Sequence, residues 1–364
     1  MERRTIVAMD AEGGAKVLVT LVRAEGSSYR RAGARMLVGT GPGYAGTVSG
    51  GCLEAEVARK AVWMTREGAR LERYSTLFDD TAEIPFGLGC GGVLDLLLEP
   101  TGTPEYEALL GALRGSLKGD EAVVVTWLPA PGQVLARAVF SAEGELRFRS
   151  ETLRGEQVEG LDLAGVEGEA GVFVERIKAP QRLFVFGAGD DARPVVRMAA
   201  LLGWSVTVAD GRTQLARGDR FPQAEQVIAG QEAEELEVRG RDAAVLMTHS
   251  YEQDRDLLRR LLALEEPPTY LGLLGARHRS SLLVSEVAAM LGRSVTECCE
   301  RIYAPVGLDL GGDGAEAIAL AIVAEAHARV EGRLGASRRL SAEDVAENVA
   351  RGGAERYLQA QCAL

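Results

Sequence analysis

From residue 183 to residue 274, short apolar runs alternate with stretches of helical periodicity, and no other feature of the sequence limits the fold so tightly. The runs are Leu183 to Phe186, Val206 to Ala209, Gln226 to Ile228, Ala243 to Thr248 and Tyr270 to Leu274. Helices are predicted at about Ala192 to Leu202, Glu252 to Leu264, His278 to Leu291 and Ala315 to Val330. Strands separated by helices pair in parallel, and a parallel sheet is covered on both faces. The pattern therefore predicts a doubly wound α/β domain over residues 180–335.

The first of these strands runs into Gly187-Ala188-Gly189-Asp190-Asp191-Ala192, which fits G-x-G-x-x-G/A, and a helix follows at once. Glycines there let backbone N–H groups approach a phosphate at a helix N-terminus, where the helix dipole also favours an anion. Asp210 closes the next strand, at the distance where an acidic residue takes a ribose hydroxyl. Asp190 and Asp191 stand where a pyrophosphate would sit and repel it unless Arg193 or Arg212 compensates. The plainer alternative is that these acids only cap the helix. Open α/β sheets bind ligands outside the carboxyl ends of their strands, so His249, Arg277 and Arg279 point at one crevice. For His249 the competing reading is a hydrogen bond to loop backbone.

The first half, residues 1–179, reads as a mixed α+β domain. Strands are predicted at Val17 to Arg23, Met36 to Val38, Val93 to Glu99, Ala122 to Leu128, Val134 to Phe140, Glu145 to Arg149 and Val172 to Ile177. Helices are predicted at Leu53 to Arg66 and Tyr106 to Leu117. Ser150 to Glu169 reads as a loop, the domain boundary falls near Ala179-Pro180, and residues 336–364 form a tail with one last helix from Ser341. Two cysteines lie in glycine runs: Cys52 after Gly50 and Gly51, at a helix N-terminus, and Cys90 before Gly91. Small neighbours leave a thiol bare, and a helix N-terminus favours the thiolate, the form that binds soft metals or carries sulfur. The alternative is a buried structural cysteine. Arg30, Arg31 and Arg35 around Gly33 suit either an anion site or a solvated loop.

The bulk numbers exclude more than they assign. A chain of 364 residues exceeds what one core usually serves, and 46% hydrophobic with 26% charged residues is ordinary for globular domains. A net charge of −12 opposes nucleic-acid binding. Met1 to Lys16 lacks a secretory apolar segment, and no apolar run reaches the roughly 18 residues a membrane span needs. Five cysteines without regular spacing, two of them adjacent at Cys298-Cys299, make no disulfide framework and no zinc motif, so a cytoplasmic protein is expected.

Taken in order, EGSSYRRAGARM, GTVSGGCLE, GLGCGGVLDLLLEP, the segment from Phe184 to Arg212, LMTHSYEQD, YLGLLGARHR and RIYAPVGLDLGGDGAEAIALAI resemble the XdhC/CoxI family, from about Leu18 to Arg333. The resemblance implies an accessory protein of molybdenum hydroxylases such as xanthine dehydrogenase. Such a protein binds the molybdenum cofactor, as molybdopterin or its cytosine dinucleotide, and supports its sulfuration with a cysteine desulfurase as sulfur donor. It inserts the cofactor into the apo-enzyme as a chaperone rather than as a hydroxylase. A Rossmann-like second domain and a homodimer are also implied. On this reading Cys52 and Cys90 are the ligand candidates and molybdenum contacts, with Gly50, Gly51 and Gly91 beside them. Gly187, Gly189, Asp210, Arg212, His249 and Arg277 line a cofactor crevice that leaves room for a nucleotide. Asp190-Asp191 is more acidic than many members of the family. Two other readings compete: an NAD(P)-dependent oxidoreductase with Asp210 on the ribose and His249 as general acid/base, and a docking scaffold for the hydroxylase that touches no cofactor.

Overall fold

The computed structural model describes residues 2–335, apart from 27, 41–42, 52, 76–91, 131–132, 156–157, 159, 164 and 231–235. Its contacts divide it into two compact units that part between Ala179 and Pro180. The predicted tail helix from Ser341 lies outside the described residues.

The first unit opens with helix α1 (Glu2–Ala11), then strands β1 (Ala15–Gly26), β2 (Arg35–Gly39) and β3 (Tyr44–Gly46), helix α2 (Glu54–Met64), and strands β4 (Arg70–Ser75) and β5 (Gly92–Pro100). These strands make an antiparallel sheet in the order β3-β2-β1-β5-β4. Period-two alternation sends Val17, Val19, Leu21, Leu94, Leu96 and Leu98 to one face, where Leu53, Val57 and Ala61 of the α2 region cover them. Leu18 and Leu37 point to the other face. There they meet helix α3 (Pro104–Leu117), started by Thr103, whose side chain accepts from the Tyr106 amide, with Pro104 in the first turn.

Helix α3 also covers a second antiparallel sheet, order β8-β7-β6-β9, built from β6 (Ala122–Trp127), β7 (Ala136–Ser141), β8 (Leu146–Arg149) and β9 (Val172–Ile177). Leu109, Leu110 and Leu113 of the helix share one apolar cluster with Leu18 and Leu37 of the first sheet and with Val124, Val139 and Ile177 of the second. A buried ion pair ties the sheets together. Both Glu99 carboxylate oxygens accept from Arg137, at 2.8 and 3.0 Å, and the same guanidinium donates to Thr126 Oγ1 and to the Glu105 carbonyl. The side chains are 1% and 0% exposed, so neither charge is screened by water.

The second unit is the doubly wound domain that the alternation predicts. It comprises β10 (Arg182–Phe186), α4 (Ala192–Leu201), β11 (Ser205–Asp210), β12 (Gln226–Ala229), β13 (Ala243–Leu246), α5 (Tyr251–Ala263), β14 (Tyr270–Leu273), α6 (Arg277–Leu291), α7 (Val295–Cys299) and α8 (Ala315–Val330). All strand pairs are parallel, in the order β12-β11-β10-β13-β14. Val195, Val196 and Ala199 of α4 and Ala319, Ile322 and Ala326 of α8 cover one face, while Leu258, Leu261 and Leu262 of α5 and Leu283, Val284 and Val287 of α6 cover the other. The winding reverses between β10 and β13, which opens a crevice at the carboxyl ends of these two strands.

Candidate functional site

The cysteine-bearing glycine loop of the first unit is folded around a carboxylate. Glu54, the first residue of α2, turns back under the segment that precedes it and is fully buried. Its Oε1 accepts from the amides of Val48 (3.0 Å), Ser49 (2.8 Å) and Gly50 (3.2 Å). Its Oε2 accepts from the amides of Gly51 (2.9 Å) and Leu53 (3.1 Å) and from the Ser49 hydroxyl (2.7 Å). Gly50 and Gly51 take φ values of +102° and +116°, a region side chains avoid, and this lets consecutive amides converge on one anion. Burial on its own would raise the carboxyl's pKa, but the Ser49 hydroxyl and the loop amides outweigh it and hold the group below the ordinary range. The loop therefore carries its own anion. Its amides are committed to Glu54 and do not form a phosphate cradle.

Cys52, Cys90 and Gly91 lie outside the described residues. Two of the three arginines around Gly33 serve structure: Arg30 pairs with Glu2, and Arg35 is buried against Glu175, with one hydrogen bond at 2.8 Å and a second, shorter one, while Arg31 is exposed.

In the second unit the glycine turn after β10 has the backbone geometry its sequence suggests. Gly187 has φ +125°, and a Cβ there would drive into the Met247 carbonyl oxygen, so only glycine permits the two strand ends to approach. The Gly187 amide donates to Ala209 O and the Ala188 amide to Asp210 Oδ2, each within 2.8 Å. Among the described residues no acceptor meets the amides of Gly189, Asp190 or Asp191 at the head of α4. Asp191 occupies the N-cap position, yet its side chain makes no capping bond; its Oδ2 lies 2.8 Å from His249 Nε2 instead. Asp190 is met by Arg220 at 2.8 Å and by Arg193 at 3.7 Å.

Asp210 and Arg212 are committed to each other. Asp210 Oδ1 accepts from the Arg212 amide and Nε, and Oδ2 accepts from Arg212 Nη2 and the Ala188 amide, all between 2.7 and 2.9 Å. Burial tends to raise this carboxyl's pKa, but the Arg212 guanidinium and the two amides hold it down. A ribose hydroxyl would find all of its hydrogen-bonding capacity taken. Compensation for Asp190 thus comes from Arg193, one of the two arginines the sequence offered, and at shorter range from Arg220, thirty positions away, while Arg212 is taken by Asp210.

His249 stands exposed after β13 with φ +64°, the only described non-glycine residue at positive φ. Next to it, Thr248 Oγ1 donates to Asp254 Oδ1 at 2.7 Å, and Asp254 Oδ2 accepts from Arg279 Nη2 at 2.7 Å. Asp254 is fully buried, so Arg279 acts as its counter-ion and not as a free cation of the crevice. Arg277, at the start of α6, is exposed. A cavity of about 480 Å³ opens beside the carboxyl ends of β11 and β13, lined by Phe186, Asp210, Gly211, Thr248, Gln253 and Arg260, among others. That volume suits a nucleoside-sized group. Among the described residues no group of three or more His, Cys, Asp or Glu is placed to hold a metal ion, and no helix is long and apolar enough to cross a membrane.

Sequence reasoning passed over Glu54, Arg220 and Asp254. The one signal for Glu54 was an acid in the first turn of a predicted helix, which ordinarily reads as a partner of the helix dipole.

Comparison with known proteins agrees with this architecture. The sequence profile of the XdhC Rossmann domain matches residues 183–326, and that of the XdhC and CoxI family matches residues 9–75. A Bacillus subtilis protein named as a probable xanthine dehydrogenase component is 30% identical over 332 residues, 85% of this chain and 91% of that protein. The Escherichia coli molybdenum cofactor insertion chaperone PaoD is 26% identical over 329 residues, 89% of this chain and 87% of its own length. A crystal structure from Bacillus halodurans described as a xanthine dehydrogenase superposes with a TM-score of 0.76 at 28% identity, covering 94% of this chain and 99% of that one.

Proposed function

The chain belongs to the XdhC and CoxI family, and on that premise we propose that it binds the molybdenum cofactor and delivers it to a molybdenum hydroxylase of the xanthine dehydrogenase type. Likeness to an insertion chaperone over 89% of the chain supports the role. The observation that carries it on the side of geometry is the Glu54-centred loop. Five amides and the Ser49 hydroxyl, from residues on either side of Cys52, are held by the one carboxylate before any cargo arrives. A soft thiolate on such a loop suits molybdenum and dithiolene sulfur, and Cys90 in the second glycine run is its proposed companion. Sulfuration of the bound cofactor, with a cysteine desulfurase as donor, and self-association as a dimer belong to the same proposal, as does a place in the cytoplasm.

The crevice of the second unit fits the anionic end of such a cargo. Unbonded amides at the head of α4 suit phosphate oxygens, and the adjoining cavity has room for the nucleoside of a dinucleotide form. An NAD(P)-dependent oxidoreductase is the poorer reading, because Asp210 has no oxygen to spare for a ribose.

Purified apo-protein incubated with molybdenum cofactor and passed through gel filtration is expected to carry molybdenum, measured by mass spectrometry, without turning over purines. Emergence free of metal would overturn the carrier role. Cys52→Ala and Cys90→Ala are each expected to reduce the retained molybdenum at least severalfold; full retention in both would remove the thiolates from the mechanism. Micromolar binding of NADH, followed by its fluorescence, would restore the oxidoreductase reading.

A further inference from the structure

The cavity at the carboxyl ends of β11 and β13 is walled in part by the apolar Phe186, Ala209 and Leu257. Its polar lining divides into groups already committed and groups that are not. Asp210 is saturated by Arg212 and the Ala188 amide, and the Thr248 hydroxyl donates to Asp254. In a domain wound this way, the acid that closes the second strand is the group that takes a ribose hydroxyl. Here it has nothing to offer one.

Helix α5 supplies groups in the opposite state. Gln253 makes no side-chain hydrogen bond among the described residues, and its carboxamide nitrogen reaches the end of β11, 3.6 Å from where a Cβ on Gly211 would sit. Arg260, seven positions further on and so on the same face of the helix, lies over the Phe186 ring with its guanidinium carbon 5.8 Å from the ring centre. Both side chains line the cavity. The Phe186 ring is 2% exposed, so an entering group meets the guanidinium rather than the ring. Planar heterocycles stack on guanidinium planes, and a carboxamide pairs with two neighbouring positions on the edge of a base. Glu252 and Asp256, both exposed, add carboxylates to the same lining, and Asp256 keeps an oxygen beyond its contact with Arg255. A carboxamide turns over to suit an amine or a carbonyl edge, whereas a carboxylate accepts from an amine and repels a carbonyl oxygen.

We propose that this cavity is a nucleobase site that recognises a nucleotide by its base and leaves the sugar unread. Gln253 pairs with the edge of an amine-bearing base such as cytosine or adenine, Arg260 stacks on its face, and Glu252 and Asp256 disfavour keto bases. The proposal deepens the reading of the second unit given above and rests on it for the cargo, which is then the nucleotide end of a dinucleotide cofactor.

The test titrates the full chain by calorimetry with CMP, AMP, UMP and IMP, and with the deoxyribose form of whichever binds most tightly. CMP or AMP is expected to bind about tenfold more tightly than its keto counterpart, UMP or IMP. The deoxyribose form should bind within about twofold of the ribose form, because no group of the cavity is left to read the missing hydroxyl. Gln253→Ala, a change at an exposed position, should weaken binding about tenfold. Arg260→Ala should weaken it severalfold through lost stacking, and Glu252→Gln should narrow the preference for an amine. Failure of the unaltered protein to bind any of these nucleotides overturns the proposal. So does a loss of about tenfold on removing the ribose hydroxyl, which would return Asp210 to the sugar, and so does equal binding by Gln253→Ala and the unaltered protein. Molybdenum retention is measured separately, with the cofactor in its dinucleotide form and without the nucleotide. Loss of the dinucleotide form alone in Gln253→Ala would tie the cavity to the cargo. Nucleotide binding that depends on Gln253, in a protein that retains neither form, would uphold the site and remove the carrier role. A preference for AMP, with dinucleotide retention unchanged in Gln253→Ala, would uphold the site and assign it to a free adenine nucleotide.

Discussion

Arg137→Met is expected to lower the stability of the first unit by about 3–5 kcal/mol, the usual consequence of leaving one member of a buried ion pair uncompensated. The change strips Glu99 of both hydrogen bonds from the guanidinium and leaves the Glu105 carbonyl and Thr126 hydroxyl without their donor. Fluorescence of Trp127, on the strand that pairs with β7, reports the loss in urea as a lower unfolding midpoint. Adding Glu99→Leu to Arg137→Met should restore more than half of the stability, because the orphaned charge is removed along with its cause. The remainder reflects the unpaired carbonyl, worth about 1–3 kcal/mol. An unaltered midpoint in the single variant would mean that water reaches Glu99, against its full burial.

Glu54→Ala should abolish cofactor retention more completely than loss of either cysteine. Removing the carboxylate leaves five amides and a hydroxyl converging on an empty space, and hydrogen bonds to a charged group contribute about 1.5–3 kcal/mol each before cooperativity is considered. The loop is expected to open, seen as loss of amide-exchange protection at Val48, Ser49 and Leu53 while β1 and β5 stay protected. Retained protection with lost cargo would show that Glu54 touches the cargo instead of shaping the loop. The same group sets a pH response. Its folded-state pKa lies below the unfolded value, so its stabilisation is complete above the ordinary carboxylate range and fades as pH falls through the lower, folded-state value. Loop protection and cofactor retention should therefore be steady at neutral pH and collapse together only in acid.

The parallel domain was legible because its strands are buried on both faces and read as unbroken apolar runs, as in Ala243 to Leu246 and Tyr270 to Leu273. The same logic missed α1, which buries only Ile6 among ten residues, and α7, five residues long. It missed β4 as well, because Arg70-Leu71-Glu72-Arg73 is an edge strand whose charged side chains give no apolar alternation. At the candidate site, the glycines and Asp210 were readable as positions. What they do was less readable. Asp210 looked available because its strand end is where ribose acceptors stand, and only the folded chain reveals that Arg212, two residues on, takes both of its oxygens. Asp190 with Arg220 and Asp254 with Arg279 are separated by thirty and twenty-five residues, distances over which charge pattern carries no pairing information. Glu54 is adjacent to its loop, yet its backward turn depends on two glycines at positive φ that sequence cannot distinguish from ordinary flexible ones.

Helix α3 has a consequence for how the first unit comes apart. Its leucines are wedged into one apolar cluster with residues from both sheets, so no plane through residues 2–179 separates two self-sufficient halves. Neither sheet can shed its neighbour without exposing that wedge to water. Melting, proteolytic nicking and truncation should therefore act on all nine of the unit's described strands at once, and the cysteine loop inherits the stability of a meander well downstream of it in the chain.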